Sequence, residues 1–200
     1  MDDLLLKLFC IFSIFTDISG VCNLAKDSLT LTDWSGSLNS PGYLGGSYPN
    51  NQDCTWNIRV SKGSRIKLDF TLFQLEDGVK SGDTVSTCYD KVQIRDGTNV
   101  LLEACGSQLT SPILSNTNEI QINFKSDESG NKAGFRLEYH GECSMDIAEN
   151  STIETPNFPK SPPDSIECKW NINVPKATVA VIQLNNQANT LPSCNISPLT

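Results

Sequence analysis

The chain has 200 residues, a formal net charge of −8 at pH 7 and eight cysteines. An acidic balance argues against a nucleic-acid-binding protein, because the phosphates of nucleic acids attract basic surfaces. It suits a protein that binds calcium, or one whose partner presents lysine or arginine.

The first 20 residues resemble a secretory signal peptide. An apolar run over residues 4–18 is followed by a Ser-Gly pair at 19–20, and the run is too short to cross a bilayer comfortably. The acidic pair at positions 2–3 departs from the usual basic start, so a short buried helix is the alternative. We predict that residues 1–20 are a signal peptide, that the protein is secreted, and that no membrane span follows.

Short segments that alternate apolar and polar residues follow one another along the rest of the chain, separated by Gly-, Asn- and Ser-containing turns. No window has the apolar spacing of a long amphipathic helix. The pattern predicts an all-β, antiparallel β-sandwich. The apolar positions of the predicted strands are Trp56, Ile58 and Val60; Ile66, Leu68, Phe70 and Leu72; Val92 and Ile94; Ile120, Ile122 and Phe124; and Phe135, Leu137 and Tyr139.

The cysteines indicate a disulfide framework. Cys10 lies in the predicted signal peptide, which leaves an odd number, and no C-x-x-C pair suggests zinc. One cysteine therefore lacks a partner within the chain. Two N-x-S/T sequons, at Asn150 and Asn195, fit an oxidising compartment and are predicted glycosylation sites.

An internal repeat divides the sequence. The segments TPNFP at 155–159 and CKWNI at 168–172 echo the stretch SPGYLGGSYP at 40–49 and CTWNI at 54–58. This similarity predicts two copies of one domain.

The first copy is predicted to occupy residues 21–141, and an incomplete second copy residues 142–200. Only Gly141 and Glu142 separate the last predicted strand of the first copy from Cys143. The junction is therefore predicted to be short and stiff.

Several motifs recur in one known family. They are S-P-x-Y with a later Y-P, C-x-W-x-I, F-x-x-x-x-L-E, a Cys followed by Y-D-x-V-x-I-x-D-G, a Cys-Gly after the next strand, and F-x-S-D followed by G-F. Together they resemble the CUB domain, an extracellular module of complement proteases, tolloid-type metalloproteases, procollagen-proteinase enhancers and cubilin. The resemblance covers roughly residues 22–140 and, in first-half form, residues 143–200.

The resemblance implies three disulfides: Cys22–Cys54, Cys88–Cys105 and Cys143–Cys168. By the chain-entropy account each contributes about 3–4 kcal/mol. Cys194 is expected to be unpaired, because the chain ends at Thr200 before the next family cysteine. We therefore expect a fragment, or a second sandwich that another chain completes.

The resemblance also implies a calcium site at one end of the first sandwich. Its ligands are expected to be Glu76, Asp90 and Asp127, with the Ser129 carbonyl as a further oxygen and the Tyr48 hydroxyl in support. Calcium takes six to eight hard oxygen ligands, which carboxylates, carbonyls and water supply. Each carboxylate alone could be a solvated turn residue, but their coincidence at three family positions favours calcium.

In the second copy, Leu184-Asn185-Asn186 stands where the first copy has Leu75-Glu76. No calcium site is predicted there.

The implied function is that of a secreted, non-catalytic module that binds a basic residue of a protein partner through the calcium-ordered acidic loop. The single histidine, His140, lies at a predicted strand end, and the chain has neither G-x-S-x-G nor H-E-x-x-H, so an enzyme is not predicted. The alternatives are the regulatory region of a longer extracellular protease, a receptor-accessory protein, and a glycan-binding protein. Trp34 and Tyr43 are the candidate sugar platforms in the last case, and the competing interpretation of both is that they pack beneath the strands they precede. The sequence leaves the partner's identity and the oligomeric state open.

Overall fold

The structure, a computed structural model, describes residues 29–81, 84–109, 111–148, 150–172 and 181, with only the backbone described at 80, 81 and 84–86. The predicted signal peptide, Cys22, Cys194, Asn195 and the segment 184–186 lie outside the described residues. Within the described ranges, no helix combines the length and the apolar character that crossing a membrane requires.

The described residues form short strands and one turn of 3₁₀ helix at Tyr43–Gly45. The strands are β1 (Leu29–Leu31), β2 (Ser35–Asn39), β3 (Asp53–Arg59), β4 (Arg65–Gln74), β5 (Val79–Ser81), β6 (Thr84–Thr87), β7 (Lys91–Asp96), β8 (Asn99–Ala104), β9 (Ile113–Leu114), β10 (Glu119–Lys125), β11 (Gly134–Glu142), β12 (Met145–Ile147) and β13 (Trp170–Ile172).

Two sheets build the sandwich. One has the strand order β1-β3-β10-β7-β8 and the other β2-β11-β4-β9, while β5 pairs with β6 and β12 with β13. Between the sheets, Phe135 stands edge-on to both Trp56 and Phe124, with ring centroids 6.1 and 5.6 Å apart. The predicted all-β sandwich is confirmed.

The predicted alternation holds in β3, β7 and β10, where every second residue is buried. It fails in the second half of β4. Leu137 faces Phe70 and Arg136 faces Leu72, so Thr71 has no opposing residue and forms a β-bulge. The bulge exchanges the two faces of the strand, so that Phe73 rather than the predicted Leu72 is buried.

One pairing also departs from the antiparallel prediction. β1 runs parallel to β3, with Leu29 opposite Trp56 and Leu31 opposite Ile58. The chain leaves this sheet after β1, contributes β2 to the other sheet and then returns as β3, so the two strands have the same direction. The remaining pairings of the two main sheets are antiparallel.

Disulfides join Cys88 to Cys105 and Cys143 to Cys168, the pairs that the family resemblance implies. Cys54 is also disulfide-bonded, and its expected partner Cys22 lies outside the described residues.

The strand directions define two ends of the sandwich. The acidic end carries Glu76 after β4, Asp90 before β7 and Asp127 after β10. The junction end carries the turn at Lys62–Gly63 before β4 and Asn116 before β10. Because β10 has seven residues and β4 has ten, the two ends lie about 20–30 Å apart.

Candidate functional site

Three carboxylates meet at the acidic end because their strands end there. β7 and β10 are antiparallel neighbours with Lys91 opposite Lys125, so Asp90 and Asp127 lie side by side. Together with Glu76 they offer ligand oxygens that all lie within 4.8 Å of one another. The structure therefore brings together the three carboxylates of the predicted calcium site.

Asp90 is the buried member of the cluster, with no exposed surface. Its Oδ2 accepts a hydrogen bond from the Tyr48 hydroxyl at 2.6 Å, and its Oδ1 accepts one from the Asp127 N–H at 2.8 Å. A buried carboxylate needs such donors to offset the loss of water. Asp90 therefore orients its neighbours, and it contributes one of the clustered ligand oxygens.

Tyr48 connects two of the carboxylate-bearing segments. Its hydroxyl donates to Asp90 and accepts a hydrogen bond from the Glu76 N–H at 3.0 Å. Its fully buried ring stands edge-on to Phe124, at 5.2 Å between centroids. Burial, and secondarily the bond to Asp90, raise the pKa of Tyr48 well above its ordinary value of 10, so the hydroxyl keeps its proton. The structure thus places Tyr48 between Asp90 and Glu76, and its supporting role at a calcium site stays a prediction.

The loop after β10 is held against the segment before β3. The N–H of Asn51 donates to the Asp127 carbonyl at 2.7 Å, and the side chain of Asn131 donates to the Tyr48 carbonyl at 2.7 Å. Ser129, expected to offer its carbonyl to the ion, donates its N–H to Asp127 Oδ1 at 2.9 Å. These bonds fix the backbone from which Asp127 projects.

Glu76 is the member of the cluster whose negative charge is least stabilised. Its Oε2 is buried and has no hydrogen-bond partner among the described residues. Burial raises the pKa of Glu76 above its ordinary value of 4.5, and the charges of Asp90 and Asp127 raise it further, while Lys132 acts in the opposite direction. A cation placed among these oxygens would relieve both the repulsion and the unpaired acceptor.

Gly130 makes room for the Glu76 carboxylate. It has a φ of +79°, and a Cβ at this position would lie 2.2 Å from the Glu76 carboxyl carbon. A residue other than glycine would therefore displace Glu76. Sequence reasoning missed Gly130 and Lys132, although the run Ser129-Gly130-Asn131 was visible as a turn.

The Cys88–Cys105 disulfide ties two of the carboxylates together. Asp90 follows Cys88 by two residues. On the other side, the N–H of Gly106 donates to the Glu76 carbonyl at 2.9 Å, and the Gly106 carbonyl accepts from the Leu75 N–H at 2.8 Å. The disulfide thus links the segment that presents Asp90 to the one that flanks Glu76.

Three further residues singled out from the sequence lie outside the carboxylate cluster. Trp34 is only 7% exposed and packs on Gly141, so it offers no platform for a sugar, while Tyr43 is half-buried. The prediction that His140 lies at a strand end is wrong, because β11 continues through Glu142 and His140 lies within it, 4.0 Å from the Glu142 carboxylate.

The profile of the CUB domain family matches residues 26–139, more than half of the chain. The chain belongs to the CUB domain family. CUB domains are non-catalytic interaction modules of extracellular proteins.

Curated relatives share about a third of their residues with this chain. Dog (Canis lupus familiaris) cubilin is 38% identical over 141 residues, which cover 69% of this chain and 4% of that protein. The bone morphogenetic protein 1 homolog of Strongylocentrotus purpuratus is 34% identical over 153 residues, covering 73% and 22%. Zebrafish (Danio rerio) neuropilin-1a is 31% identical over 195 residues, covering 90% and 20%. The chain thus spans less than a quarter of each of these relatives.

Among solved structures, the MASP-1 CUB2 domain bound to Ca²⁺ is similar over 57% of this chain and 99% of that domain, with 31% identity and a TM-score of 0.51. The CUB1-EGF-CUB2 region of human MASP-1/3 is similar over 56% of this chain and 40% of that one, with 30% identity and a TM-score of 0.50. Both likenesses concern the CUB fold, and the first is to a domain that holds calcium.

Proposed function

We propose that this chain provides an extracellular recognition region whose first CUB domain binds calcium and then captures a lysine or arginine of a protein partner at the acidic end. The observation that carries the proposal is the convergence of Glu76, Asp90 and Asp127, whose ligand oxygens lie within 4.8 Å of one another. The similarity to a CUB domain solved with Ca²⁺ supports it.

The residues of the acidic end fit calcium by their chemistry. Carboxylate oxygens are the hard ligands that calcium prefers, and six to eight of them are reached when carbonyls and water complete the set. Glu76, Asp90 and Asp127 would hold the ion, with the Ser129 carbonyl as the further oxygen. The buried, unpaired Oε2 of Glu76 is an acceptor that such an ion would satisfy. When bound, the ion supplies positive charge that keeps the carboxylates together.

The partner's basic residue would bind at the outer carboxylates. Glu76 and Asp127 are half-buried, whereas Asp90 is enclosed and already accepts two hydrogen bonds. A lysine ammonium or arginine guanidinium donates strong, charge-assisted bonds to carboxylates whose orientation is fixed. Asp90 and Tyr48 would fix that orientation, and the outer pair would make the contact.

The rest of the chain agrees with an extracellular role. The disulfides suit an oxidising compartment, and Asn150, the first residue of an Asn-Ser-Thr sequon, is exposed. We propose that Asn150 carries a glycan.

The test is capture of peptides by the full chain. Immobilised protein is exposed to a peptide library with lysine, arginine or norleucine at its centre, in calcium and in chelator. In calcium, we expect Lys- and Arg-centred peptides to be captured at least about tenfold better than norleucine-centred ones. In chelator, this preference should be absent. Asp127→Asn should abolish this preference.

Glu119→Gln is the matched control, because Glu119 is a carboxylate at the opposite end of β10 in an exposed ion pair with Arg59. It should leave the preference unchanged. Equal capture of norleucine-centred peptides, or capture that survives the chelator, contradicts the proposal.

A further inference from the structure

The described residues after β11 repeat the opening of the first domain. β12 pairs in parallel with β13 so that Met145 faces Trp170 and Ile147 faces Ile172, just as β1 pairs with the Trp-Asn-Ile triplet of β3. In both cases a disulfide-bonded cysteine precedes the tryptophan by two residues.

A turn repeats as well. Gly42 and Asn157 both have left-handed backbones, with φ of 72° and 66°. In the first turn, the N–H of Tyr43 donates to the carbonyl of Ser40, three positions earlier, at 3.3 Å. The later turn has the same bond, from the N–H of Phe158 to the Thr155 carbonyl at 3.0 Å. The repeat is therefore one of backbone geometry, not of composition alone.

This second opening packs against the junction end of the first domain. The indole N–H of Trp170 donates to the Gly63 carbonyl at 2.6 Å. The N–H of Glu154 donates to the Lys62 carbonyl at 2.9 Å, and its carboxylate accepts from the Lys62 N–H at 3.0 Å and pairs with the Lys62 ammonium at 3.3 Å. Ile153 fills the space beside Gly63, where a Cβ would lie 3.1 Å from it.

A second set of contacts lies at the start of β2. The Trp34 N–H donates to the Asn157 side-chain oxygen at 3.2 Å. Lys160 forms an ion pair with Asp33. Two separate regions of the first domain thus contact the segment, which limits rotation about the short connection between β11 and β12.

We propose that residues 143–172 begin a second CUB domain that forms a fixed interface with the first, built on Trp170, Glu154 and Ile153 against the Lys62–Gly63 turn. Trp170 is the repeat counterpart of Trp56, which is 3% exposed in the core of the first domain. In the second copy the same position is half-buried and its indole N–H bonds to the neighbouring domain. The interface lies at the end opposite to the acidic cluster, so the two domains are held in one orientation while the acidic end points away.

The test uses the full chain and nuclear magnetic resonance. Backbone relaxation should give one rotational correlation time for the amides of 29–142 and of 143–172. The indole proton of Trp170 should exchange with deuterium at least about tenfold more slowly than a free indole, as a hydrogen-bonded group does. Two separate correlation times, or exchange at the free rate in folded protein, would overturn the proposal.

Charge reversal identifies the contact. Glu154→Lys places a like charge against the Lys62 ammonium and removes the carboxylate that accepts from the Lys62 N–H. Deuterium exchange of the Trp170 indole proton should then accelerate by about tenfold, and residues 29–142 and 143–172 should show separate correlation times. Glu138→Lys makes the same change on the outer face of β11, beside Arg136, and should alter neither.

The double swap Lys62→Glu with Glu154→Lys restores the ion pair and should recover part of the protection even where the single variant folds poorly. If Glu154→Lys leaves both measurements at their wild-type values, or the swap recovers nothing, this interface does not fix the domains.

Discussion

At the scale of single residues, the acidic end combines one enclosed carboxylate and two outer ones with different surroundings. Asp90 accepts bonds on both oxygens, whereas Glu76 has a buried oxygen without a partner among the described residues and a raised pKa. The cost of assembling the cluster therefore falls on Glu76. Its protonation state should decide how stable the calcium-free domain is.

Glu76 gives the stability a pH dependence of predictable sign. Because its pKa is higher in the folded protein than its ordinary 4.5, the folded state takes up the proton first as pH falls. In chelator, Glu76→Gln should be more stable than the wild type at neutral pH, because it removes the repelling charge. As pH falls through the raised pKa of Glu76 towards 4.5, the free energy of unfolding of the wild type should rise relative to that of the variant, so the difference between them should shrink.

With saturating calcium the slope should have the opposite sign, because the ion needs Glu76 ionised. Urea unfolding of both proteins at a series of pH values measures the difference. A difference that does not change with pH in chelator would show that Glu76 is not strained.

At the scale of elements, the site depends on where strands end and on one bulge. The unpaired Thr71 in β4 exchanges the faces of that strand, so that Phe73 and Leu75 are buried and Glu76 emerges at the rim. The loop of residues 126–133 then lies against Glu76, with Gly130 beside its carboxylate.

Gly130→Ala should lower calcium affinity by tenfold or more, since its methyl group would occupy the position of the Glu76 carboxylate. Gly97→Ala is the matched control: Gly97 also has a positive φ, of 59°, but nothing lies within 4 Å of its Cβ position. Both variants should lose about 1 kcal/mol of stability through backbone strain, and calcium titration should distinguish them. Equal affinities for calcium would contradict the role given to Gly130.

Local sequence patterns predicted the strands but neither the bulge in β4 nor the parallel pairing of β1 with β3. Val92 and Ile94, or Ile120 and Ile122, announce a buried strand face because side chains alternate within a few residues. The bulge at Thr71 depends on the opposite strand β11, more than sixty residues away, and the pairing of β1 on β3 depends on the path through β2. Such features are set by non-local contacts, which no local period encodes.

The candidate site was likewise predictable only where local sequence marks it. Family motifs marked Glu76, Asp90 and Asp127, and each follows or precedes a predicted strand. The proximity of Lys132 and the unpaired oxygen of Glu76 follow only from the folded loop.

At the scale of the whole molecule, calcium should act on stability by mass action. A ligand that binds the folded state alone, at about a hundred times its dissociation constant, adds about 2.7 kcal/mol, which raises the unfolding midpoint of a domain of this size by several degrees. For an extracellular module a dissociation constant on the order of 10⁻⁴–10⁻³ M sets the concentration needed. Thermal unfolding in calcium and in chelator measures the increment.

Asp90→Asn should remove this increment. Asp96→Asn is the matched control, because Asp96 is also a buried carboxylate but lies at the far end of β7, where it accepts bonds from Asn116 and Thr117. Its variant should lose stability equally with and without calcium. An increment that persists in Asp90→Asn would show that the three carboxylates are not the calcium site.

The hairpin of β7 and β8 begins and ends beside the Cys88–Cys105 disulfide, which closes it into a covalent ring. Its turn at Gly97 lies at the other end of that ring and borders open space. A fluorophore or affinity handle attached at this turn is therefore separated from Asp90 and Gly106 by the length of both strands. For anyone who wishes to follow this protein in solution, the tip of the hairpin is the attachment point that leaves the acidic end undisturbed.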